Sequence, residues 1–364
     1  MKEFFAASYA HSRDNFCREA AALSADVRSY ALPNHQGPAG EELAIDVAEI
    51  GPADAEGAII ILSGTHGIEG YAGAGCQRAL MKSSDFLNVT KSISVTLVHA
   101  VNPNGFAHFH RVNESNVDLN RNAIDFSDAP PTNSKYEDVM RPLFDLVRGE
   151  PDYGRVKEQF RARCAEGGLR HMLEALQPGQ YSDHKGIFYG GAKPEWSTVQ
   201  MREIFKREFS GKKKVVVIDL HTGLGEPGVG EIILLGDNAP MNFSNYKRAY
   251  IPPISMPGGL ESVTANISGP LLSMASIAGK NCETLLTFAL EFGTVPVDDV
   301  LLAIIIDAIA MSNNSDNKRL KDEARDMMRE AFFCLHTQGW ADSIVERTQD
   351  VFRSSLKVLD ATLG

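Results

Sequence analysis

The stretch from Ala58 to Gly75 places the strongest constraint on the fold of this chain. Its sequence, AIIILSGTHGIEGYAGAG, is an apolar run of strand length that stops at a Gly-rich turn carrying His66 and Glu69. A short apolar run bounded by turn residues is typical of a strand buried on both faces of a parallel sheet. Such a strand would deliver an imidazole and a carboxylate, two groups that bind zinc, to its own carboxyl end.

Two later apolar runs repeat this pattern. Lys214–Leu220 (KVVVIDL) is followed directly by His221, and Thr284–Leu290 (TLLTFAL) is followed directly by Glu291. Each run is therefore predicted to be a buried strand that ends in a polar side chain. The alternative for Glu291 is a strand-end carboxylate that pairs with a surface lysine.

The order of predicted elements indicates parallel pairing. Ala58–Leu62 and Ile93–Val101 read as strands, and Ala72–Met81 between them reads as a helix. Strand, helix and strand at this spacing are typical of a βαβ unit in an α/β fold. The carboxyl ends of parallel strands share one edge of a sheet, where open α/β folds bind ligands. We therefore expect the polar residues at the ends of the three runs to converge.

The remaining segments complete a single catalytic domain over residues 1–364, with a helical insertion at about 134–180 and C-terminal helices at about 297–364. A leading amphipathic helix is predicted before the first strand. Periodicity and turn residues predict the strands Glu41–Ile50 and Gly230–Leu235, the short strand or turn Gly186–Gly191, and the helices Ser197–Phe209 and Pro270–Ala278.

Charge and cysteine content exclude several functions. The chain of 364 residues has a formal net charge of −11, and its compact basic run, Lys212-Lys213-Lys214, directly precedes a predicted strand. Nucleic-acid binding depends on clustered Lys and Arg, so we expect no nucleic-acid partner. The five cysteines are an odd number, are widely spread and form no C-x-x-C pair. This pattern argues against a disulfide framework and against a thiolate zinc site.

No segment is apolar over the length that a membrane requires. The most hydrophobic run, Val300–Met311, is twelve residues long and contains Asp307, whereas a spanning helix needs roughly twenty. The first residues carry charges such as Glu3 and Arg13 and have no continuous apolar region of signal-peptide type. We therefore expect a cytoplasmic protein without a membrane partner. The oligomeric state stays open, a homo-oligomer included.

The chemistry of the strand-end residues is that of a hydrolytic metal site. Two histidines and a glutamate, His66, Glu69 and His221, would form a site with one open coordination position. Zinc in such a site makes water nucleophilic near neutral pH and polarises the carbonyl that is attacked. Glu291 would be the carboxylate that accepts a proton from the water and passes it to the leaving amine.

A loop after the Ile93–Val101 strand supplies cations. Arg111, Asn120, Arg121 and Asn122 lie within twelve residues of one another, together with Asp118. Guanidinium groups bind carboxylates in bidentate fashion and stabilise oxyanions. In an acidic protein this cluster predicts recognition of a negatively charged substrate group. The alternative is that the arginines neutralise nearby carboxylates and the asparagines form turns.

The motifs in this order resemble the zinc carboxypeptidase superfamily. H-x-x-E, R…DLNRN, a buried strand ending in His and a late Glu after an apolar strand run from about Gly64 to Gly293. The likeness is greatest to a bacterial branch near succinylglutamate desuccinylase and aspartoacylase. The resemblance implies a mixed, mainly parallel eight-stranded sheet between helices. It also implies one zinc ion on His66, Glu69 and His221.

The same resemblance implies roles for the other polar residues. Glu291 would be the general base and acid, and Arg111 would polarise the scissile carbonyl and steady the oxyanion. Asn120 and Arg121 would bind a terminal carboxylate of the substrate. Asp118 would orient the histidine of the H-x-x-E motif, as metal-bound histidines commonly require.

The leading hypothesis is a zinc-dependent hydrolase that cleaves an amide or peptide bond next to a free carboxylate, with a small peptide or N-acyl amino acid as substrate. Two alternatives stay open: an N-acyl amino acid deacylase of the aspartoacylase type, and a non-catalytic binding protein that retains the metal. A serine hydrolase is not indicated, because the chain has no G-x-S-x-G motif. The superfamily places a substrate-contacting tyrosine before the catalytic Glu. Since none lies between Tyr250 and Glu291, Tyr189 is a candidate for that role.

Overall fold

An eight-stranded sheet forms the centre of the fold. The computed structural model describes residues 1–90, 92–147, 152–235, 247–256, 267–312 and 318–361. The strands are β1 (Asp26–Gln36), β2 (Glu42–Ile50), β3 (Gly57–Ser63), β4 (Ser94–His99), β5 (Lys214–Pro227), β6 (Gly230–Leu234), β7 (Ile254–Ser255) and β8 (Thr284–Gly293). Their order across the sheet is β1-β2-β4-β3-β5-β8-β6-β7.

Parallel pairing dominates the middle of the sheet. β3 pairs in parallel with β4 and β5, β5 pairs in parallel with β8, and β6 pairs in parallel with β7. The pairs β1–β2, β2–β4 and β6–β8 are antiparallel. The sheet is thus mixed and mainly parallel and lies between helices, which confirms the predicted fold class.

Helices cover both faces of the sheet because its central strands are buried on both sides. One core packs against α8 and α9, and a larger core packs against most of the other helices. The helices are α1 (Tyr9–Ala22), α2 (Gly70–Met81), α3 (Ser84–Val89), α4 (Pro103–His108), α5 (Arg141–Val147), α6 (Tyr153–Gly167), α7 (Leu169–Leu176), α8 (Trp196–Glu208), α9 (Leu272–Ala278), α10 (Val297–Ser312), α11 (Lys318–Phe332) and α12 (Trp340–Ala361). None of the helices in the described ranges is long and apolar enough to cross a membrane.

Several strands differ from the sequence-based expectation, and the two-residue strand β7 was not predicted. β1 was not predicted, because it lies at the edge of the sheet and leaves most of its side chains exposed or half-buried, without a strict apolar alternation. β5 continues past Leu220 to Pro227, so that His221 lies inside a strand and not after its end. The continuation pairs with β8, whose strand likewise extends to Gly293.

The segment between β4 and β5 departs furthest from regular structure. Gly186–Gly191 forms no strand, and an isolated bridge joins Gln180 and Tyr189 there. Within the predicted insertion at 134–180, a π-helical turn (Tyr136–Met140) leads into α5, and α6 and α7 follow. Residues 148–151 of the insertion and residues 313–317 and 362–364 of the C-terminal region lie outside the described residues.

Candidate metal centre

Two adjacent parallel strands bring His66, Glu69 and His221 together. His66 and Glu69 follow β3 in a turn that includes the 3-10 segment Gly67–Glu69, and His221 lies in the neighbouring β5. A Cβ on Gly67 would lie 2.1 Å from the carbonyl carbon of Gly105, so that glycine alone allows α4 to pack here. The close packing of α4 against Gly67 therefore fixes the position of the turn that carries His66 and Glu69.

The three candidate ligands form a buried cluster. Their ligand atoms all lie within 4.8 Å of one another. His66 Nδ1 is 2.8 Å from Glu69 Oε1, His221 Nδ1 is 2.9 Å from Glu69 Oε2, and the two Nδ1 atoms are 3.2 Å apart. The Thr222 backbone N–H donates to Glu69 Oε2 at 3.1 Å, which fixes the carboxylate. Two imidazole nitrogens and a carboxylate thus face a common point.

Buried aspartates lie behind both imidazoles. His66 Nε2 is 3.2 Å from Asp118 Oδ1, and His221 Nε2 is 2.9 Å from Asp219 Oδ2. Thr65 donates its hydroxyl to Asp219, at 2.9 Å to Oδ1. A carboxylate at Nε2 favours the tautomer with the proton there and leaves the Nδ1 lone pair free for a metal. Two such lone pairs beside the Glu69 carboxylate suit a cation bound between them.

The pKa values show how strongly these groups interact. Burial alone would raise the pKa of Glu69, but the imidazoles of His66 and His221 outweigh burial and hold it below its usual value. Burial would lower the pKa of His221, yet the charges of Asp219 and Glu69 raise it well above the usual range. The cluster therefore stabilises positive charge at its centre.

The formal charges of the site match a divalent cation. Buried charges require compensation by partners or by a metal. Six ionisable groups other than the imidazoles belong to the site: the carboxyl groups of Glu69, Asp118, Asp219 and Glu291, and the guanidinium groups of Arg111 and Arg121. With neutral imidazoles and ionised carboxyl groups, two negative charges stay uncompensated within this set. The donor set and the charge therefore both fit an ion such as Zn²⁺.

Glu291 lies beside the cluster on β8. It is the register partner of His221 across the parallel β5–β8 pair, and its side chain lines the same cleft. The Leu224 backbone N–H donates to Glu291 Oε1 at 2.9 Å. Burial, together with the nearby charge of Glu69, raises the pKa of Glu291 to about 7. A carboxyl group with such a pKa exchanges protons readily near neutral pH.

Arg111 contacts the cluster directly. Its Nη1 donates to Glu69 Oε1 at 3.1 Å, and its Nε and Nη2 donate to Asp118 Oδ2 at 3.3 Å and 3.2 Å. Its Nη2 also lies 2.8 Å from His66 Nε2. This last contact favours a proton on Nδ1 of His66, whereas the Asp118 contact favours it on Nε2. Metal binding through Nδ1 would select the second tautomer.

Asn120 and Arg121 line the cleft, and their side chains also contact backbone groups. The Leu271 backbone N–H donates to Asn120 Oδ1 at 2.9 Å. Arg121 donates Nε and Nη2 to the carbonyl oxygen of Gln177, at 2.9 Å and 2.5 Å, and Nη1 to the carbonyl oxygen of Asn120 at 2.9 Å. Both side chains are buried. The insertion therefore supplies, through Gln177, the carbonyl that holds Arg121.

Three contacts at the candidate site were missed by sequence reasoning. Asp219 had a detectable signal, because it lies two residues before His221 and strand alternation places the two on one face. Phe188 had none, since it lies in a long irregular connection, and Gln177 had none, because it contributes only a backbone carbonyl at the end of α7. Phe188, and not the candidate Tyr189, lines the cleft, and its ring lies against both arginines.

The cleft that contains these residues has an empty volume of about 720 Å³, its open mouth included. Apart from the polar groups described above, the lining includes Gln177 and Thr222 and is otherwise largely apolar: Leu173, Phe188, Gly223, Leu224, Ile233, Leu235, Ile267, Ala289, Val297, Val300, Leu301, Ile304 and Phe332.

Several solved structures are similar to this chain at low identity. Carboxypeptidase A from Helicoverpa armigera is 12% identical over 94% of this chain and 73% of that chain, with a TM-score of 0.46. Bovine thrombin-activatable fibrinolysis inhibitor, solved with tick carboxypeptidase inhibitor, is 13% identical over 96% and 98%, with a TM-score of 0.45. A succinylglutamate desuccinylase/aspartoacylase family protein from Shewanella amazonensis is 17% identical over 79% and 72%, with a TM-score of 0.38.

Comparison at the level of sequence gives a family. No curated protein matches the chain. One sequence family, DUF2817, is described as a protein of unknown function, and its model matches residues 5–347. This range takes in every strand of the sheet and all the residues of the candidate metal centre. The chain therefore belongs to the DUF2817 family.

Proposed function

We propose that this protein is a zinc-dependent hydrolase that cleaves an amide bond next to a free carboxylate, in the manner of a metallocarboxypeptidase. The observation that carries this proposal is the convergence of His66, Glu69 and His221, with Glu291 beside them in one cleft. Three protein ligands and an adjacent carboxylate are the groups that hydrolytic zinc sites use.

The three converging residues would hold the ion. A zinc ion bound there supplies Lewis acidity, which polarises the scissile carbonyl and makes water nucleophilic near neutral pH. Asp118 and Asp219 keep the imidazoles of His66 and His221 in orientation through their Nε2 atoms. Both aspartates are fully buried, so water cannot replace the imidazoles as their partners.

Glu291 moves the proton. Its carboxylate accepts a proton from the attacking water and transfers it to the nitrogen of the leaving amine as the carbon–nitrogen bond breaks. The Leu224 N–H holds one carboxylate oxygen, which leaves the other to face the substrate. Burial favours proton uptake by this group, since the pKa of about 7 lies close to neutral pH.

The arginines and Asn120 bind the negative charges of the substrate. Arg111 lies next to Glu69 and would stabilise the oxyanion that develops on the scissile carbonyl. Asn120 and Arg121 also line the cleft and would bind the free carboxylate. The scissile bond would then lie between the metal ligands and the carboxylate-binding pair.

Metal content and turnover of the purified protein test the proposal. We expect bound zinc, hydrolysis of a dipeptide or N-acyl amino acid from a panel of both, and loss of activity on chelation that added zinc restores. Glu291→Gln should lower kcat by roughly 10²–10⁴-fold and retain zinc. Glu231→Gln on the neighbouring strand β6 is the matched control and should leave kcat unchanged. Glu231 is the register partner of Glu291 but does not line the cleft.

The panel also separates the alternatives. Release of amino acids from dipeptides but not from N-acyl amino acids identifies a peptidase, and the reverse identifies a deacylase. Zinc binding without turnover of any panel member would favour a binding protein that retains the metal. Hydrolysis that persists after the metal is removed would contradict the proposed mechanism.

A further inference from the structure

We propose that the substrate is a small amide whose carboxylate is its only charge, with an apolar side chain next to the carboxylate and an apolar acyl group beyond the scissile bond. This inference rests on the proposed function and specifies its substrate class. It is carried by two apolar walls that flank the metal ligands. We call these the sheet wall (Ile233, Leu235, Ile267 and Ala289) and the helix wall (Val297, Val300, Leu301 and Ile304).

The sheet wall is built beside Glu291. Ala289 lies two residues before Glu291 on β8, and strand alternation therefore places both on the same face. Ile233 is the antiparallel partner of Ala289 on β6, and Leu235 follows it two residues later. Ala289, Ile233 and Leu235 are all buried. The part of the cleft that these three residues line is thus aliphatic.

The sheet wall also adjoins the carboxylate-binding pair. Ile267 belongs to the segment that leads to Leu271, whose N–H donates to Asn120 at 2.9 Å. The same segment accepts a hydrogen bond from Ala123 N–H at Gly269 O, at 3.1 Å. A substrate whose carboxylate contacts Asn120 and Arg121 would therefore place the side chain of that residue against the sheet wall.

The helix wall forms the other side of the cleft. Its four residues follow the i, i+3, i+4, i+7 spacing of a single helical face of α10. Asp307, one turn further along, lies 2.8 Å from His110 Nδ1, which joins α10 to the backbone segment of Arg111. The helix wall is therefore held beside the oxyanion-binding group, where the acyl part of the substrate would lie.

The ionisable residues of the cleft explain why substrates with a second charge would be rejected. Among the described residues that line the cleft, the ionisable ones are His66, Glu69, Arg111, Arg121, His221 and Glu291. All six belong to the metal centre or to the carboxylate-binding and proton-transfer groups. A second charge on the substrate would lose its hydration against aliphatic walls without gaining a partner from the lining residues that the structure describes. This argues against the dicarboxylates that an aspartoacylase-type enzyme would take.

Binding to the inactive zinc-loaded full-length protein tests the substrate class without turnover. We expect Glu291→Gln to bind N-hexanoyl-leucine on the order of 100-fold more tightly than N-hexanoyl-aspartate or N-hexanoyl-lysine in calorimetry. Equal or tighter binding of either charged compound overturns the inference. A wild-type protein that shows this binding preference without any turnover would overturn the proposed hydrolase activity. That result would still support an apolar ligand class.

A matched pair of methyl deletions tests the sheet wall. Ile233→Val should shift selectivity, measured as the ratio of Kd values, several-fold from N-hexanoyl-leucine towards N-hexanoyl-phenylalanine, because it enlarges the space beside Ala289. Ile232→Val removes the same methyl group from the neighbouring residue, which faces the other core, and should leave the ratio unchanged. Equal ratios in the two variants would contradict the assignment of the sheet wall.

A second matched pair tests the helix wall. Ile304→Val should weaken binding of N-hexanoyl-leucine several-fold more than that of N-acetyl-leucine, since only the longer acyl chain reaches α10. Ile305→Val is the control, because Ile305 is buried in the core and does not line the cleft. Equal losses for both ligands in Ile304→Val, or the same pattern in Ile305→Val, would contradict the placement of the acyl group.

Discussion

The ring centroid of Phe188 lies 5.0 Å from the guanidinium carbon of Arg111. The same ring lies 5.6 Å from the guanidinium carbon of Arg121, so that one aromatic side chain contacts both cations of the cleft. Phe188 has φ +55°, a conformation that is unfavourable for a residue with a Cβ. The Gln180 N–H donates to Phe188 O at 3.1 Å and holds the strained backbone in place.

We predict that Phe188→Leu lowers kcat/KM by roughly 5–30-fold, because a desolvated cation–π contact contributes about 1–2 kcal/mol. Zinc content should not change, since Phe188 is not one of the candidate ligands. Phe188→Tyr keeps the aromatic face and should retain most of the activity. Steady-state kinetics on the best panel substrate would measure both, and a fully active Phe188→Leu would show that the ring has no role in positioning the arginines.

The contact between Asp219 and His221 gives a prediction about metal affinity. Asp219→Asn should weaken zinc binding by roughly 10–100-fold, because the amide no longer favours the imidazole tautomer that the metal requires. His221→Ala should lose the metal more completely, whereas His336→Ala, at an exposed position, should not affect it. Competition with a zinc chelator measures all three affinities. Unchanged affinity in Asp219→Asn would contradict the orienting role.

A buried ion pair far from the cleft gives a prediction about stability and pH. Burial would raise the pKa of Asp46, but contacts with His99, Arg13 and Ser29 hold the pKa below its usual value. A depressed pKa in the folded state stabilises the protein above the pKa of the unfolded carboxyl group, about 3.9. This stabilisation is lost as the pH falls through the lower folded value.

Asp46→Asn should therefore lower the free energy of unfolding at pH 7 by about 1.5–3 kcal/mol, because the partly buried Arg13 loses the carboxylate that accepts its hydrogen bonds and keeps only Glu42 among the described residues. It should also make that free energy less dependent on pH below about 4. Asp14→Asn is the control, since Asp14 pairs with Arg18 on the surface and should change stability by less than about 1 kcal/mol. Urea denaturation at several pH values checks both variants, and parallel pH profiles for wild type and Asp46→Asn would refute the assignment.

The sequence allowed the central sheet and its polar edge to be predicted because those strands are buried on both faces. β3, β5 and β8 each contain a largely apolar run, and the polar residue that follows each run is conspicuous. β1 carried no such signal, since it lies exposed at the edge and includes Pro33. Boundaries in β5 were wrong because hydrogen bonding to β8 continues beyond the apolar residues.

Side chains from irregular segments were harder to predict. Phe188 reaches the arginines through a connection without helical or strand periodicity, and only tertiary contacts such as Asp118 N–H to Tyr189 O, at 2.8 Å, determine its position. The roles proposed for Arg111, Asn120 and Arg121 came from the resemblance. Neither spacing nor composition indicates which groups a guanidinium will contact after folding.

The hydrogen bonds from Arg121 to the Gln177 carbonyl have an evolutionary consequence. An arginine buried at this position is tolerable only while α7 ends where it does, with that oxygen directed inward. Relatives in which the inserted helices are shortened or replaced should therefore change residue 121 as well, or recruit another acceptor from elsewhere in the chain. Relatives that lack the insertion should therefore seldom keep an arginine at this position.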